Sequence, residues 1–187
     1  MKKIISLFQR NYDGDRLIRD EVVPGAEWVL AGEGIATRKY DGSCCAVIGG
    51  EYFKRYDVKQ GKQPPAGFIP AQEADPVTGH WPGWVLVTVA AADKWFLVAW
   101  DNWRAGHSDK IPEDGTYEAV GPHFQSNPEH FDVDMLVRHG MTYICDVPRT
   151  FDGLKEFLGK QDIEGIVWHH PDGRMVKIKK KDFGWKR

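Results

Sequence analysis

The chain has 187 residues, of which 42% are apolar and 28% charged, and its net charge at neutral pH is −2. This composition is typical of a globular protein and excludes a disordered or fibrous chain. No apolar run reaches the roughly 20 residues of a membrane-spanning helix, so we expect no membrane association. The apolar start of the chain breaks at Gln9 and Arg10, too early for a secretion signal. Cys44, Cys45 and Cys145 form no disulfide framework, which predicts a reducing, cytoplasmic location.

The first predicted elements are short strands. Residues 34–58 predict short strands joined by turns at Asp41-Gly42 and at Gly49-Gly50. Residues 59–83 are rich in Pro and Gly and predict a long surface loop, a feature that is more often functional than idle. In this loop Trp81, and just after it Trp84, are candidates for stacking on nucleic-acid bases.

The second half of the chain mixes helices and strands. Helices are expected over 91–103 and over 150–160, where Thr150 suits the N-cap position, and a strand over 115–122. Residues 163–181 predict two strands joined by a turn at Pro171-Asp172-Gly173. This order predicts an α+β fold of antiparallel sheets with flanking helices. The length favours one domain, 1–187, acting as a monomer, and leaves two very small domains as the alternative.

The basic residues are concentrated in the last part of the sequence. Residues 174–187 hold seven Lys or Arg and one Asp, which leaves 18 basic and 26 acidic residues, a net charge of −8, in the rest of the chain. Such a segment is either a solvated tail or a strip that binds phosphate groups. The seven histidines show no spacing typical of a metal site.

Several polar motifs are each weak evidence of function when taken alone. Lys39 stands before Tyr40-Asp41-Gly42, where a lysine is either an ordinary cation in a turn or a nucleophile. Glu164-Gly165 is a common turn, and Lys177 and Lys179 lie two apart, as on the wet face of a strand. Their order carries more information, and the full set is Lys39, Asp41, Gly42, Arg55, Glu118, Glu164, Lys177 and Lys179.

This ordered set resembles the motifs of the covalent nucleotidyltransferases, the superfamily of DNA ligases, RNA ligases and capping enzymes. The strings ATRKYDGSCC (36–45), EAVGPHFQSNP (118–128) and EGIVWHHPDGRMVKIKKKDFG (164–184) narrow the resemblance to the small stand-alone ATP-dependent 5′–3′ RNA ligases of phages and animals. The resemblance runs from about residue 30 onward. It implies the fold of a ligase adenylation domain. It also implies that RNA ends with a 5′-phosphate and a 3′-hydroxyl are the substrate.

The resemblance implies a role for each motif residue. Lys39 would attack the α-phosphate of ATP and become adenylated, and Glu164 would bind Mg²⁺ or Mn²⁺. Lys177 and Lys179 would act in catalysis by lowering the pKa of the nucleophile from its usual ~10.4 and by neutralising phosphate charge. Tyr143 is the candidate for stacking on adenine, with a core strand residue as its alternative. The remaining nucleotide-binding candidates are Thr37, Asp41, Gly42, Arg55 and Glu118.

Two departures from the family pattern bear on the assignment. Cys44 stands where many ligases carry Arg or Asn, and its neighbour Cys45 is expected to be a small core residue. The chain ends eight residues after Lys179, so we expect no OB domain, which disfavours a DNA ligase or a capping enzyme. The alternatives are another nucleotidyltransferase, GTP-dependent or DNA-sealing, and a nucleic-acid-binding module without catalysis.

Overall fold

The computed structural model describes residues 1–186, which form two compact units. Unit I contains residues 1–3 and 41–139, and unit II contains residues 4–40 and 140–186. The chain therefore leaves unit II after Tyr40 and returns to it at Gly140. Arg187, the last residue of the basic segment 174–187, lies outside the described residues. The single domain expected over 1–187 would include both units, and it stays a prediction.

Strands dominate both units, and the helices are few. The strands are β1 (Ile5–Ser6), β2 (Phe8–Arg10), β3 (Ile18–Val22), β4 (Ile35–Lys39), β5 (Ser43–Ile48), β6 (Glu51–Val58), β7 (Ile69–Pro70), β8 (Trp81–Leu86), β9 (Gly115–Val120), β10 (Met135–Arg138), β11 (Gly165–His169) and β12 (Met175–Lys179). The helices are α1 (Glu27–Leu30), α2 (Lys94–Gly106) and α3 (Phe151–Lys160), with short 3₁₀ turns at Ala91–Asp93 and Lys180–Phe183. The bounds of β4, β5, β11 and β12 decide where the motif residues lie.

Unit I is built on a six-stranded antiparallel sheet in the order β10-β9-β5-β6-β8-β7. Alternation along β5 divides its side chains between the two faces. Cys45 and Val47 are fully buried and pack with Tyr117 against the aromatic side chains of α2. Cys44 lies on the opposite face, directly across from Glu118 of β9. We call the face that carries Cys44 and Glu118 the Cys44 face of unit I.

Unit II is built on a four-stranded sheet in the order β1-β12-β11-β4, with β1 parallel to β12 and the other pairs antiparallel. One face is packed against α3, whose Leu154 and Leu158 are fully buried with Ile166 and Trp168 of β11. Burying a leucine side chain fully stabilises the fold by about 1.5–3 kcal/mol. Helix α3 begins at a real N-cap, because the Thr150 hydroxyl accepts a 3.2 Å hydrogen bond from the Gly153 N–H.

These elements confirm the α+β fold of antiparallel sheets and few helices, while the ligase adenylation fold stays a prediction. The turn at Gly49-Gly50, the helix after Thr150 and the hairpin around Asp172 are as expected. The surface loop over 59–83 is wrong in part, because Ile69–Pro70 forms β7 and Trp81 begins β8. Within residues 1–186, no helix has the length and apolar character needed to cross a membrane.

Candidate active site

Strand register in unit II brings Lys39 and Lys179 to the same end of its sheet. Lys39 pairs with Gly165, and Gly165 pairs on its other side with Lys179. Directly opposed residues of neighbouring strands point to the same face, so both lysines lie on the face away from α3. Gly165 is required between them, since a Cβ there would lie 2.1 Å from the Ile178 carbonyl oxygen.

Glu164 lies between the two lysines. Its carboxylate forms an ion pair with the Lys39 ammonium, and its other oxygen is 3.9 Å from Lys179 Nζ. The Glu164 backbone is fixed as well, because its carbonyl accepts a 2.8 Å hydrogen bond from the Lys180 N–H. One sheet therefore brings the three charged groups together.

Lys179 has an unusual acid–base character for a lysine. Burial lowers its pKa to about 8, and the charges of Lys181 and Lys177 act in the same direction, while Glu164 and Asp182 oppose the shift. Its ammonium is therefore partly deprotonated in weakly alkaline solution. Perturbed groups of this kind often lie at functional sites.

A buried aspartate that the motif pattern does not reveal fixes the end of β12. Asp182 is fully buried, accepts a 2.8 Å hydrogen bond from the Lys179 backbone N–H and forms an ion pair with Arg10. These contacts hold the backbone that carries Lys179. The signal in the sequence is only an acidic residue inside a basic run, which is also expected of a solvated tail.

A second row of side chains crosses the same face of unit II. Tyr143 forms an isolated β-bridge with Thr37, which pairs with Val167, which in turn pairs with Lys177. The Thr37 side chain is buried, and its hydroxyl donates to the Val167 carbonyl at 3.1 Å. Tyr143 is 61% exposed, so its alternative assignment as a core residue is wrong.

In unit I two buried glutamates hold the turn that follows the lysine motif. Glu129 accepts a 2.7 Å hydrogen bond from the Asp41 backbone N–H, and Glu118 accepts one of 3.2 Å from the Gly42 N–H. Both are less than a tenth exposed. Only glycine fits at Gly42, because a Cβ would lie 2.2 Å from the Ala119 carbonyl oxygen. Glu129 was not predicted, since nothing in the sequence around it marks a contact 88 residues away.

Arg55 lies on the Cys44 face of unit I, beside Cys44 itself. It donates a 2.7 Å hydrogen bond to the Met1 carbonyl, and its guanidinium lies 4.9 Å from the centre of the Trp84 ring. Burial lowers the pKa of Arg55, while the Cys44 thiol raises it. Trp84 is only 3% exposed, so the prediction that it stacks on bases is wrong. Arg55 also lines a cavity of about 230 Å³ together with Lys3, Asp57, Gln72, Asp75, His80 and Pro82.

The predicted residues thus form two sets, one in each unit. The unit II set is Thr37, Lys39, Tyr143, Glu164, Lys177 and Lys179, and the unit I set is Asp41, Gly42, Arg55 and Glu118. Cys45, expected in the core, is fully buried, which confirms that assignment. The roles of both sets in binding and catalysis stay predictions.

The amino-acid sequence of this chain is similar to those of two curated proteins. Two curated proteins named RNA ligase 1, from Pongo abelii and Rattus norvegicus, are each 26% identical to this chain. The alignments span 226 and 218 positions and cover 80% of this chain and 67% of each relative. No protein-family model matches the chain. At this low identity the similarity gives weak support for a relationship to RNA ligases and no detail of nucleotide or mechanism.

Proposed function

We propose that this protein is an ATP-dependent RNA ligase that seals 5′-phosphate and 3′-hydroxyl RNA ends through a lysyl-AMP intermediate. The observation that carries the proposal is the convergence of Lys39, Glu164 and Lys179 at one end of the unit II sheet. A lysine nucleophile, a carboxylate and a second cation are the groups that transfer of a nucleotide to an amine requires. The two relatives named RNA ligase 1 add independent support.

In the first step the Lys39 amine attacks the α-phosphorus of ATP. A phosphorus–nitrogen bond forms, the bond to the bridging oxygen of the β-phosphate breaks, and pyrophosphate leaves with that electron pair. The Lys39 ammonium gives one proton to water before the attack, and the nitrogen gives a second proton to water once the phosphorus–nitrogen bond has formed. An ammonium paired with a carboxylate tends to keep its proton, so the ion pair between Lys39 and Glu164 must open before the attack.

The Glu164 carboxylate can bind a divalent cation as well as pair with the Lys39 ammonium. Mg²⁺ is usually held by one or two carboxylates together with substrate phosphates and water, and Glu164 offers one carboxylate beside the nucleophile. A bound Mg²⁺ or Mn²⁺ would neutralise negative charge on the phosphates. A Glu164 carboxylate that held such a cation would no longer pair with the Lys39 ammonium, so cation binding and activation of the nucleophile would be coupled in this proposal.

Other side chains bind the nucleotide. Lys177 and Lys179 neutralise the phosphates, and the exposed ring of Tyr143 stacks on adenine. For unit I, the motif resemblance implies that Arg55 contacts a phosphate and that Glu118 accepts hydrogen bonds from the ribose. The adenylate then passes to the RNA 5′-phosphate, and the 3′-hydroxyl attacks that phosphate and expels AMP.

The proposal is tested by supplying each labelled nucleoside triphosphate with Mg²⁺ and then adding 5′-phosphorylated RNA or DNA of the same sequence. We expect label from ATP on the protein, sealing of RNA and poor sealing of DNA. Label from GTP, or equal sealing of DNA, would favour another nucleotidyltransferase. No label from any triphosphate, together with RNA binding, would favour a non-catalytic binding module and contradict the proposal.

A further inference from the structure

Three potential metal ligands meet on the Cys44 face of unit I. The Cys44 sulfur, a Glu118 carboxylate oxygen and a His139 ring nitrogen all lie within 4.8 Å of one another. Cys44 and Glu118 are direct partners on β5 and β9, and His139 follows β10, where its N–H donates to the Thr116 carbonyl at 3.0 Å. Three chain segments far apart in sequence therefore bring three donor types together.

The imidazole of His139 is oriented as a ligand would be. Its Nδ1 lies 3.0 Å from the Thr116 hydroxyl oxygen, and that hydroxyl can donate its own hydrogen to the Met1 sulfur 3.8 Å away. The hydroxyl oxygen is then able to accept the Nδ1 hydrogen. Nε2 forms a 2.8 Å hydrogen bond with Glu118 Oε2, and a metal ion bound by both atoms would replace the proton of that bond. Histidines that bind metals usually donate their other ring N–H to an oxygen in this way.

Glu118 is held so that one carboxylate oxygen faces the other two groups. Its Oε1 accepts from the Gly42 N–H at 3.2 Å, while Oε2 faces His139. Glu118 is buried, and a buried charge needs a partner of opposite sign, which either a protonated His139 at 2.8 Å or a bound cation can provide. A carboxylate with a thiolate carries two negative charges, which matches a divalent cation.

The donor types decide between metals. Sulfur, nitrogen and oxygen together suit Zn²⁺, whereas Mg²⁺ and Ca²⁺ take oxygen ligands. Ligand atoms around tetrahedral Zn²⁺ lie about 3.3–3.8 Å apart, so small side-chain movements from the present separations are sufficient. We propose that Cys44, Glu118 and His139 form a zinc site with three protein ligands and one position open to water or a ligand.

The zinc site is separate from the ligase proposal, although the two share Glu118. Zinc would occupy the carboxylate oxygen that we propose accepts hydrogen bonds from the ribose, so metal and nucleotide would compete. That competition rests on the proposed function. The site itself does not, and it is best tested by spectroscopy without any nucleotide.

The probe is Co²⁺, which takes the same tetrahedral geometry as Zn²⁺ and has visible absorption bands. Titration of the full chain with Co²⁺ should give one equivalent of tetrahedral bands together with a thiolate-to-cobalt charge-transfer band, and Zn²⁺ should remove both. Absence of the charge-transfer band at saturating Co²⁺ would overturn the proposal.

Four variants test which side chains bind the metal. Cys44→Ser should lose the charge-transfer band, and His139→Gln should lose the tetrahedral spectrum, with thermal melting used to check that both fold. Thr116→Val should weaken Co²⁺ binding by about 10-fold or more, because the orienting hydroxyl is lost. Cys145→Ser, which removes an exposed cysteine of unit II, should change nothing. Retention of the band in Cys44→Ser, or its loss in Cys145→Ser, would place the metal elsewhere and overturn the assignment.

Discussion

The two units arrange polar groups in opposite ways on their sheets. In unit II, Lys39 and Lys179 flank Gly165, and Glu164 is the single anion between them. In unit I the central groups are the buried carboxylates Glu118 and Glu129, which accept hydrogen bonds from the backbone. The polar set of unit II therefore carries more positive than negative groups, whereas the polar groups at the centre of unit I are acidic and hold a turn.

We expect the largest effect from a change at Glu164, the one anion of the unit II set. Glu164→Gln keeps the size of the side chain but removes its charge, so we expect adenylation to slow by about 10²–10³-fold at limiting Mg²⁺. The matched control is Glu156→Gln, which removes an exposed carboxylate of α3 paired with Lys160 and should leave the rate unchanged. A near-normal rate for Glu164→Gln, measured as adduct formation with Mg²⁺ varied, would show that Glu164 does not act through a metal.

In unit I the corresponding test is structural. Glu129→Ala leaves the Asp41 N–H without its acceptor, which should lower the free energy of unfolding by about 1–3 kcal/mol. Glu129→Gln retains an oxygen acceptor and should recover most of that loss. Chemical denaturation of both variants makes the comparison, and equal stabilities would mean that the hydrogen bond to Asp41 contributes little.

The low pKa of Lys179 predicts a stabilising substitution. Because the pKa is about 8 in the folded state and ~10.4 in the unfolded chain, burial of the charged form costs stability fully below pH 8. The cost disappears as the pH rises from 8 to about 10.4, where both states become neutral. Lys179→Met should therefore be more stable than the wild type by about 1 kcal/mol at pH 7, allowing for solvent screening.

Melting curves at pH 7 and pH 10 provide the measurement for Lys179→Met. For a chain of this size the gain corresponds to about 2–4 °C at pH 7 and should be much smaller at pH 10. Lys160→Met, at an exposed lysine of α3, serves as the control and should show no such pH dependence. A gain that is equal at the two pH values would arise from added apolar packing and would contradict the role given to the charge.

The smallest expected effect concerns RNA binding by the basic segment 174–187. Lys180 Nζ donates to the Gln161 carbonyl at 2.7 Å, whereas Lys181 is exposed. Lys181→Ala should therefore reduce the slope of log affinity against log salt by about 0.7, and Lys180→Ala should reduce it less. Binding of single-stranded RNA at several salt concentrations measures both slopes. An unchanged slope for Lys181→Ala would contradict the prediction that this segment contacts RNA.

The sequence is a better guide to unit II than to unit I. The hairpin that carries Glu164 and Lys179 is local, and its turn at Pro171-Asp172-Gly173 was predicted together with both strands. Period-two alternation then places Lys177 and Lys179 on one face, as the register confirms. Local turn chemistry and alternation are strong signals, so this part of the candidate site follows from the sequence.

Contacts between distant segments did not follow from the sequence. Glu129 meets Asp41, and His139 meets Glu118, only because the order of strands in the unit I sheet brings them together. The burial of Trp84 likewise depends on β8 pairing with β6 inside a segment that reads as a loop. Such contacts are set by long-range packing, for which a single sequence carries no periodic signal.

Lys39 of unit II is the proposed nucleophile, and mapping the AMP adduct tests that role directly. Wild-type protein incubated with ATP and Mg²⁺ should gain the mass of one AMP, and fragmentation of its peptides should place that AMP on Lys39. Lys39→Arg, whose guanidinium stays protonated, should gain none. AMP on another lysine, or an adduct of equal yield on Lys39→Arg, would contradict the account.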